Sequence, residues 1–200
     1  MDSKIFEDVY HYWFGTLADA NDFPEGKSEL WFKQSEETDR HIRETFGPFI
    51  SEAAATEWKL GDLARKQLVG LVVLLDQFPR NIFRTSAEAF AYDAAARKIT
   101  QQLVEKDRDR FFLIEQTFLY LPFEHSEDIA DQDYSVFLYA EAALAAPETF
   151  KGRYRSFLDY AVKHRELIVK FGRFPHRNEV LGRTSTAEEE AFLKEHGRGY

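Results

Sequence analysis

Leu68 to Leu75 reads LVGLVVLL, and the structure of this apolar stretch decides the fold class. Its length fits either a buried strand or part of a buried helix. Only three of its residues are β-branched, and the preceding 62–67 (DLARKQ) is rich in helix formers, so we predict a helix over 62–77. No second strand candidate and no Asn-Gly or Asp-Gly turn accompanies it, and one strand cannot form a sheet. The sequence therefore predicts an all-α fold.

The remaining long segments share this helical preference. Residues 154–171 place apolar side chains at i, i+3, i+4 and i+7 spacing, and 86–104 do the same. Capping boxes are predicted at Thr85 with Glu88 and at Ser185 with Glu188, and Ser126 is a predicted N-cap. We expect one all-helical domain over 1–200, built from antiparallel helix pairs with helices at 3–14, 28–33, 36–56, 62–77, 86–105, 108–120, 127–145, 150–171 and 186–196.

Composition excludes several classes of protein. The 200 residues are 44% hydrophobic and 30% charged, which is typical of a globular chain. A net charge of −9 argues against a nucleic-acid binder. Cysteine is absent, which excludes disulfides, thiolate metal sites and a cysteine nucleophile. No apolar run reaches the roughly 20 residues of a membrane helix, and no signal peptide is apparent, so we expect a cytoplasmic protein without a membrane partner.

Short enzyme signatures are missing as well. Gly26-Lys27-Ser28 resembles the end of a phosphate-binding loop, but Asn21 stands where the loop needs glycine. The patterns G-x-S-x-G, H-E-x-x-H and G-x-G-x-x-G do not occur. We therefore predict no cofactor.

Three segments differ from ordinary helical surface: 75–84 (LDQFPRNIFR), 120–128 (YLPFEHSED) and 171–183 (FGRFPHRNEVLGR). Each interleaves aromatic residues and proline with charged groups, and the first and third share Phe-Pro followed by Arg-Asn. Charges at the edge of low dielectric must be paired or hydrogen-bonded, or else await a ligand. We therefore predict that the three segments are loops that lie together, joined by arginine–carboxylate hydrogen bonds.

Together with WFG at 13–15, these motifs resemble the bacterial domain of unknown function 924 family. The resemblance rests on LDQFPRN (75–81), YLPFEHSE (120–127) and FGRFPHRN with LGR (171–178 and 181–183), and it runs over nearly the whole chain in order. It implies an all-helical fold similar to tetratricopeptide arrays. It implies no activity and assigns no site residue.

Arginine dominates the first and third segments, which contain no lysine. Arginine is preferred where carboxylate or phosphate is recognised by paired hydrogen bonds. The predicted ligand-binding residues for a small anion or a carboxylate-bearing peptide are Arg80, Asn81, Arg84, Arg173, His176, Arg177, Asn178 and Arg183. The alternative is that Asp76, Glu124, Glu127 and Glu179 neutralise these arginines and staple the helices together.

Two further functions remain open. Glu124 and His125 are candidates for acid–base catalysis, because a carboxylate beside an imidazole can transfer protons near neutral pH. A scaffold whose concave surface binds a partner helix is the third possibility. A metal site is not predicted, since His125, His176, Glu124 and Glu127 follow no known ligand spacing.

Overall fold

The computed structural model describes residues 1–197, and these residues form helices and no strand. Helices make up 72% of the structure, so the prediction of an all-α fold with more than half of its residues in helix is confirmed. The helices are α1 Lys4–Phe14, α2 Lys27–Phe32, α3 Glu36–Thr45, α4 Gly47–Ala55, α5 Arg65–Ile82, α6 Asp93–Asp107, α7 Leu113–Glu124, α8 Ile129–Ala145, α9 Lys151–Phe171 and α10 Ala187–His196.

Backbone contacts divide the chain into two compact units. Unit 1 contains Met1–Arg84 and Glu88–Pro122, and unit 2 contains Thr85–Ala87 and Phe123–Tyr200. We describe each unit by itself. The single domain, and the likeness to tetratricopeptide arrays, stay predictions.

The LVGLVVLL stretch lies in α5, the central helix of unit 1, and every residue from Leu68 to Leu75 is buried. Helix α1 crosses α5 at Gly70, where the backbone of Phe6 comes so close that a Cβ on residue 70 would lie 1.9 Å from the Phe6 carbonyl oxygen. Burial on all sides explains the continuous apolar run, because neither face of this helix meets solvent.

Aromatic side chains fill the rest of the unit 1 core. The Phe118 ring packs against Trp31 at a centroid distance of 4.8 Å, against Phe14 at 5.2 Å and against Trp13 at 5.8 Å. Both Phe111, which precedes α7, and Phe118 are buried, whereas Phe137 of α8 is 53% exposed.

The unit 1 core also contains a buried carboxylate, Glu115, that the sequence analysis did not predict. Glu115 is fully buried, and it accepts hydrogen bonds from the Tyr10 hydroxyl at 2.5 Å, from Arg65 and from the Phe112 backbone N–H at 2.8 Å. Burial, followed by the contact with Glu115, raises the pKa of Tyr10. Because three donors surround it, this carboxylate stabilises the packing of α1 and α5 near the start of α7.

Several predicted helix boundaries are wrong. The predicted helix 36–56 is two helices, with Phe46 as the junction and Pro48 in the first turn of α4, where proline is tolerated. Helices α5 and α7 run past the predicted ends and contain Pro79 and Pro122. Segment 75–82 and residues 120–124 are therefore helical, not loops, because tertiary packing outweighs the cost of a proline near a helix end.

The predicted caps are also displaced. Helix α6 begins at Asp93, after a short 3₁₀ turn at Ala87–Phe90, so Thr85 does not cap it. Asp128 rather than Ser126 caps α8, and the C-terminal capping box joins Thr186 and Glu189, one residue later than predicted. At α8 and α10 the shift changes only which polar side chain meets the first turn, whereas α6 itself begins at Asp93 instead of residue 86.

Unit 2 is built on a pair of long helices. A connection of five residues joins α8 to α9, and such short connections make neighbouring helices antiparallel. Leu167 and Ile168 of α9 pack with the fully buried Phe174, and the partly buried Phe171 and Phe192 cover this cluster. Phe174 thereby anchors the segment that follows α9 against the helix pair.

Candidate functional site

The arginines of segment 75–84 lie at the end of α5 and bind carboxylates of unit 1. Arg80 makes two parallel hydrogen bonds to Asp93, at 2.8 and 2.9 Å, and a third to the carbonyl of Asp76 at 2.5 Å. Arg84 also makes a bidentate interaction, donating two hydrogen bonds to the Asp39 carboxylate at 2.6 and 2.7 Å. The planar guanidinium matches both oxygens of a carboxylate, and the two arginines are neutralised within their own unit.

Asn81 completes this group. Its amide donates to Asp39 at 3.0 Å, on the oxygen that Arg84 also binds. Although burial raises it, the pKa of Asp39 lies below its ordinary value because the hydrogen bonds from Arg84 and Asn81 favour the ionised form. Sequence spacing did not identify Asp39 or Asp93 as partners, since they come from other helices.

In unit 2, segments 124–127 and 173–183 meet, as predicted. Gly172 ends α9 in the left-handed region at φ 69° and turns the chain toward Phe174. Glu127 accepts from the Phe174 backbone N–H at 2.8 Å and from both terminal nitrogens of Arg183, at 2.6 and 3.0 Å. The expected arginine–carboxylate bridge between these two segments is confirmed. The meeting of segment 75–84 with them stays a prediction.

A second carboxylate, Glu189 of α10, binds the other side of the same loop. Arg173 donates to it at 2.7 and 2.8 Å, and the amide of Asn178 lies 3.3 Å away. The hydrogen bond from Arg173 is the main reason that the pKa of Glu189 falls to about 2. Asn178 also accepts from Arg183 at 3.0 Å, so it connects the two arginine–carboxylate pairs.

Two residues of this loop and three from the neighbouring helix ends and α9 form what we call the histidine cluster: His176, Arg177, Glu124, His125 and His164. Arg177 is only 6% exposed, and its guanidinium lies over the Phe174 ring, 4.4 Å from the centroid. The His164 and His176 rings each lie 5.6 Å from that centroid. One buried aromatic ring thus brings a guanidinium and two imidazoles together.

His176 is held neutral inside the cluster. Burial, followed by the positive charge of Arg177 and the nearby His164 and His125, lowers its pKa to about 4, against the weaker opposing effect of Glu127. Its buried Nδ1 has no hydrogen-bond partner. A buried N–H without an acceptor costs more than a buried lone pair without a donor, so the neutral ring carries its proton on Nε2.

Glu124 is buried and contacts an imidazole that the sequence analysis did not consider. Its Oε1 lies 3.1 Å from Nδ1 of His164, a residue of α9. A signal for His164 was present, because it occupies an apolar-face position three residues after Ala161 and four before Ile168. The helical periodicity of α9 therefore predicts that His164 faces the interior, although His164 belongs to none of the sequence motifs.

Two searches of residues 1–197 bear on other classes of function. No group of three histidine or carboxylate side chains in this part of the chain is arranged to hold a metal ion. None of the helices described is both long and apolar enough to cross a bilayer.

Comparison with known proteins places these features in a family. No curated protein matches the chain. A solved structure of a protein of unknown function from Agrobacterium tumefaciens is similar to it, with 30% sequence identity and a TM-score of 0.80 over 96% of this chain and 98% of that one. A family described as bacterial proteins of unknown function (DUF924) matches residues 9–197, which include all three Phe-Pro or Pro-Phe segments. The chain belongs to this family of bacterial proteins of unknown function.

Proposed function

We propose that the protein binds a small anionic molecule at the histidine cluster of unit 2, with Arg177 as the principal cationic contact. The observation that carries the proposal is the position of Arg177, nearly buried on the Phe174 ring and beside His176 and His164. Electrostatic attraction is stronger at such a site than in water, because the surrounding protein screens charge poorly.

The electrostatics of the cluster support an anion rather than a cation. Apart from burial, Arg177, His164 and His125 all oppose protonation of His176, which indicates a positive potential at its ring. Glu127, the carboxylate that opposes this effect, is already engaged by Arg183. An anion at this position would be attracted by the charge of the Arg177 guanidinium.

Four other arginines have carboxylate partners within the chain. Arg80, Arg84, Arg173 and Arg183 each bind a carboxylate of the chain through two hydrogen bonds. A ligand would have to displace a well-placed internal partner at each of them, which costs most of the binding energy it would gain. A direct ligand contact by these four, by Asn81 or by Asn178 stays a prediction.

Calorimetric titration with inorganic phosphate and with succinate tests the proposal and separates a phosphate ligand from a carboxylate ligand. We expect heat of binding with the wild-type chain and an affinity lower by about tenfold or more in Arg177→Gln, since a hydrogen bond to a charged group is worth at least that factor. Arg40→Gln, at an exposed arginine of α3 in unit 1, is the matched control and should bind as the wild type does. Binding that survives in Arg177→Gln, or that is absent from the wild type for both anions, contradicts the proposal.

The scaffold alternative also stays a prediction. Phe137 and Leu144 on α8 are 53% and 78% exposed, and Phe137 stacks on Tyr134 at a centroid distance of 6.3 Å. Exposed apolar side chains of this kind suit contact with a partner protein.

A further inference from the structure

The amine of Lys27 lies half-buried where α2 meets the end of α1. Nζ of Lys27 donates a hydrogen bond to the carbonyl oxygen of Tyr12 at 2.7 Å, and a Cβ on Gly15 would lie 3.5 Å from Cε of Lys27. Tyr12 is in the last turn of α1, whose final carbonyls lack partners within the helix. Lys27 therefore caps α1, and an uncharged acceptor holds its amine in place.

No carboxylate of the described chain neutralises this amine. Within residues 1–197, Lys27 forms no ion pair, whereas Lys4 and Lys33 each contact an acidic side chain four positions away. The Tyr12 ring, 6.0 Å from Nζ, supplies no countercharge. Burial without a countercharge disfavours the ammonium form, and it lowers the pKa of Lys27.

The surroundings of Lys27 also limit the kind of reaction it can undergo. A lysine amine is a nucleophile only in its neutral form, and partial desolvation raises the share of that form. Among the described residues, the single hydrogen-bond partner of Nζ is a backbone carbonyl, so no side chain is placed to protonate a departing group. An acyl donor for this amine must therefore carry a leaving group that departs as a stable anion, as the phosphate of an acyl phosphate does.

We propose that Lys27 is a modification site that small acyl phosphates acylate directly, without the help of a catalytic side chain. In the step, the neutral Nζ bonds to the carbonyl carbon, and the bond from that carbon to the bridging oxygen breaks. Its electron pair leaves with the phosphate, and the excess proton on nitrogen passes to water. The resulting amide carries no charge but keeps one N–H, which can still donate to the Tyr12 carbonyl.

Competitive acetylation with acetyl phosphate tests the proposal, and mass spectrometry of the digested protein gives the rate at each lysine. Lys98, an exposed lysine of α6 that forms no ion pair among the described residues, is the internal standard. We expect Lys27 to be acetylated about threefold faster than Lys98 or more, because the gain in neutral amine outweighs the lower basicity of that amine. In the urea-unfolded chain, where Lys27 is no longer buried, the two rates should converge.

Leu30→Glu is the informative variant, because it supplies the countercharge that Lys27 lacks. Leu30 follows Lys27 by three positions in α2, a spacing at which helical side chains are neighbours. We expect the rate at Lys27, relative to Lys98, to fall by about threefold, since a nearby carboxylate favours the ammonium form. Leu30→Gln has the same size without the charge and should keep the wild-type ratio. Thermal melts confirm folding, and if either variant is unfolded, the comparison of folded and unfolded wild type decides.

Three results would overturn the modification site. They are a rate at Lys27 no higher than at Lys98 in the folded wild type, a rate ratio that is the same in the unfolded chain, and equal rates at Lys27 in folded Leu30→Glu and Leu30→Gln. None of these measurements involves the histidine cluster, so their outcome is independent of the anion site.

Discussion

Replacing Gly70 by alanine should destabilise the chain, although alanine is the better helix former. The added Cβ would meet the Phe6 backbone at 1.9 Å from the carbonyl oxygen and 2.7 Å from the carbonyl carbon. Carbon–oxygen contacts in proteins are about 3.3–3.6 Å, so α1 must retreat by about 1.5 Å. Backbone atoms cannot rotate away as a side chain can, and the whole helix has to move.

The magnitude follows from what α1 buries. Phe6, Val9, Tyr10 and Trp13 are all fully buried on this helix, and its retreat loosens each of them. Overpacking costs about 1–3 kcal/mol where side chains adjust and more where they cannot, so we take about 4 kcal/mol here. The higher helix propensity of alanine stabilises the folded state by about 1 kcal/mol and offsets part of this cost. The net loss is about 3 kcal/mol, or roughly 6–12 °C in melting temperature for a chain of this length.

Urea unfolding followed by circular dichroism measures this loss, and Gly152→Ala is the matched control. Gly152 also lies in a helix, α9, but a Cβ there meets nothing within 4 Å. That variant should be unchanged or more stable, by up to about 1 kcal/mol. If the urea midpoint of Gly70→Ala equals or exceeds that of the wild type, α1 and α5 do not approach as closely as described.

Three further predictions concern pH and the core. Hydrogen bonding to Arg173 holds the pKa of Glu189 at about 2, below the ordinary 4.5, so its contribution to stability is complete above 4.5 and is lost as pH falls toward 2; the difference in unfolding free energy between wild type and Glu189→Gln should shrink over that window. For His176, with its pKa lowered by burial to about 4, the NMR signal should not titrate until near that pH, and stability should fall as pH drops from 6.5 to 4 because the unfolded chain binds the proton first. Phe118→Ala should cost about 3–5 kcal/mol, whereas Phe137→Ala, at an exposed position, should stay within about 0.5 kcal/mol in the same urea assay.

Hydrophobic periodicity predicted the helices well, because the spacing of apolar residues directly reflects which face is buried. It could not predict the close approach at Gly70, since the partner of a glycine is set by tertiary packing. It also placed Pro79 and Pro122 outside helices, where local propensity would put them. The packing around α5 and α7 overrides that propensity.

The sequence predicted which residue types occur in the candidate site, but it did not predict most of the arginine–carboxylate pairs. The motifs pointed to Arg183 and Glu127, which do meet. They could not identify Asp39, Asp93 or Glu189 as arginine partners, because each lies in a different segment without a motif of its own. His164 was hidden in the regular pattern of α9, where an imidazole on the apolar face looks like an ordinary core position.

The most direct test of the anion site is an NMR titration of the histidine side chains with sulfate, which keeps a constant charge near neutral pH. The account predicts that the imidazole signals of His125, His164 and His176 shift together and saturate, while His11 and His41 of unit 1 do not move. Equal small shifts at all histidines, or saturation confined to unit 1, would contradict the assignment of the site to the histidine cluster.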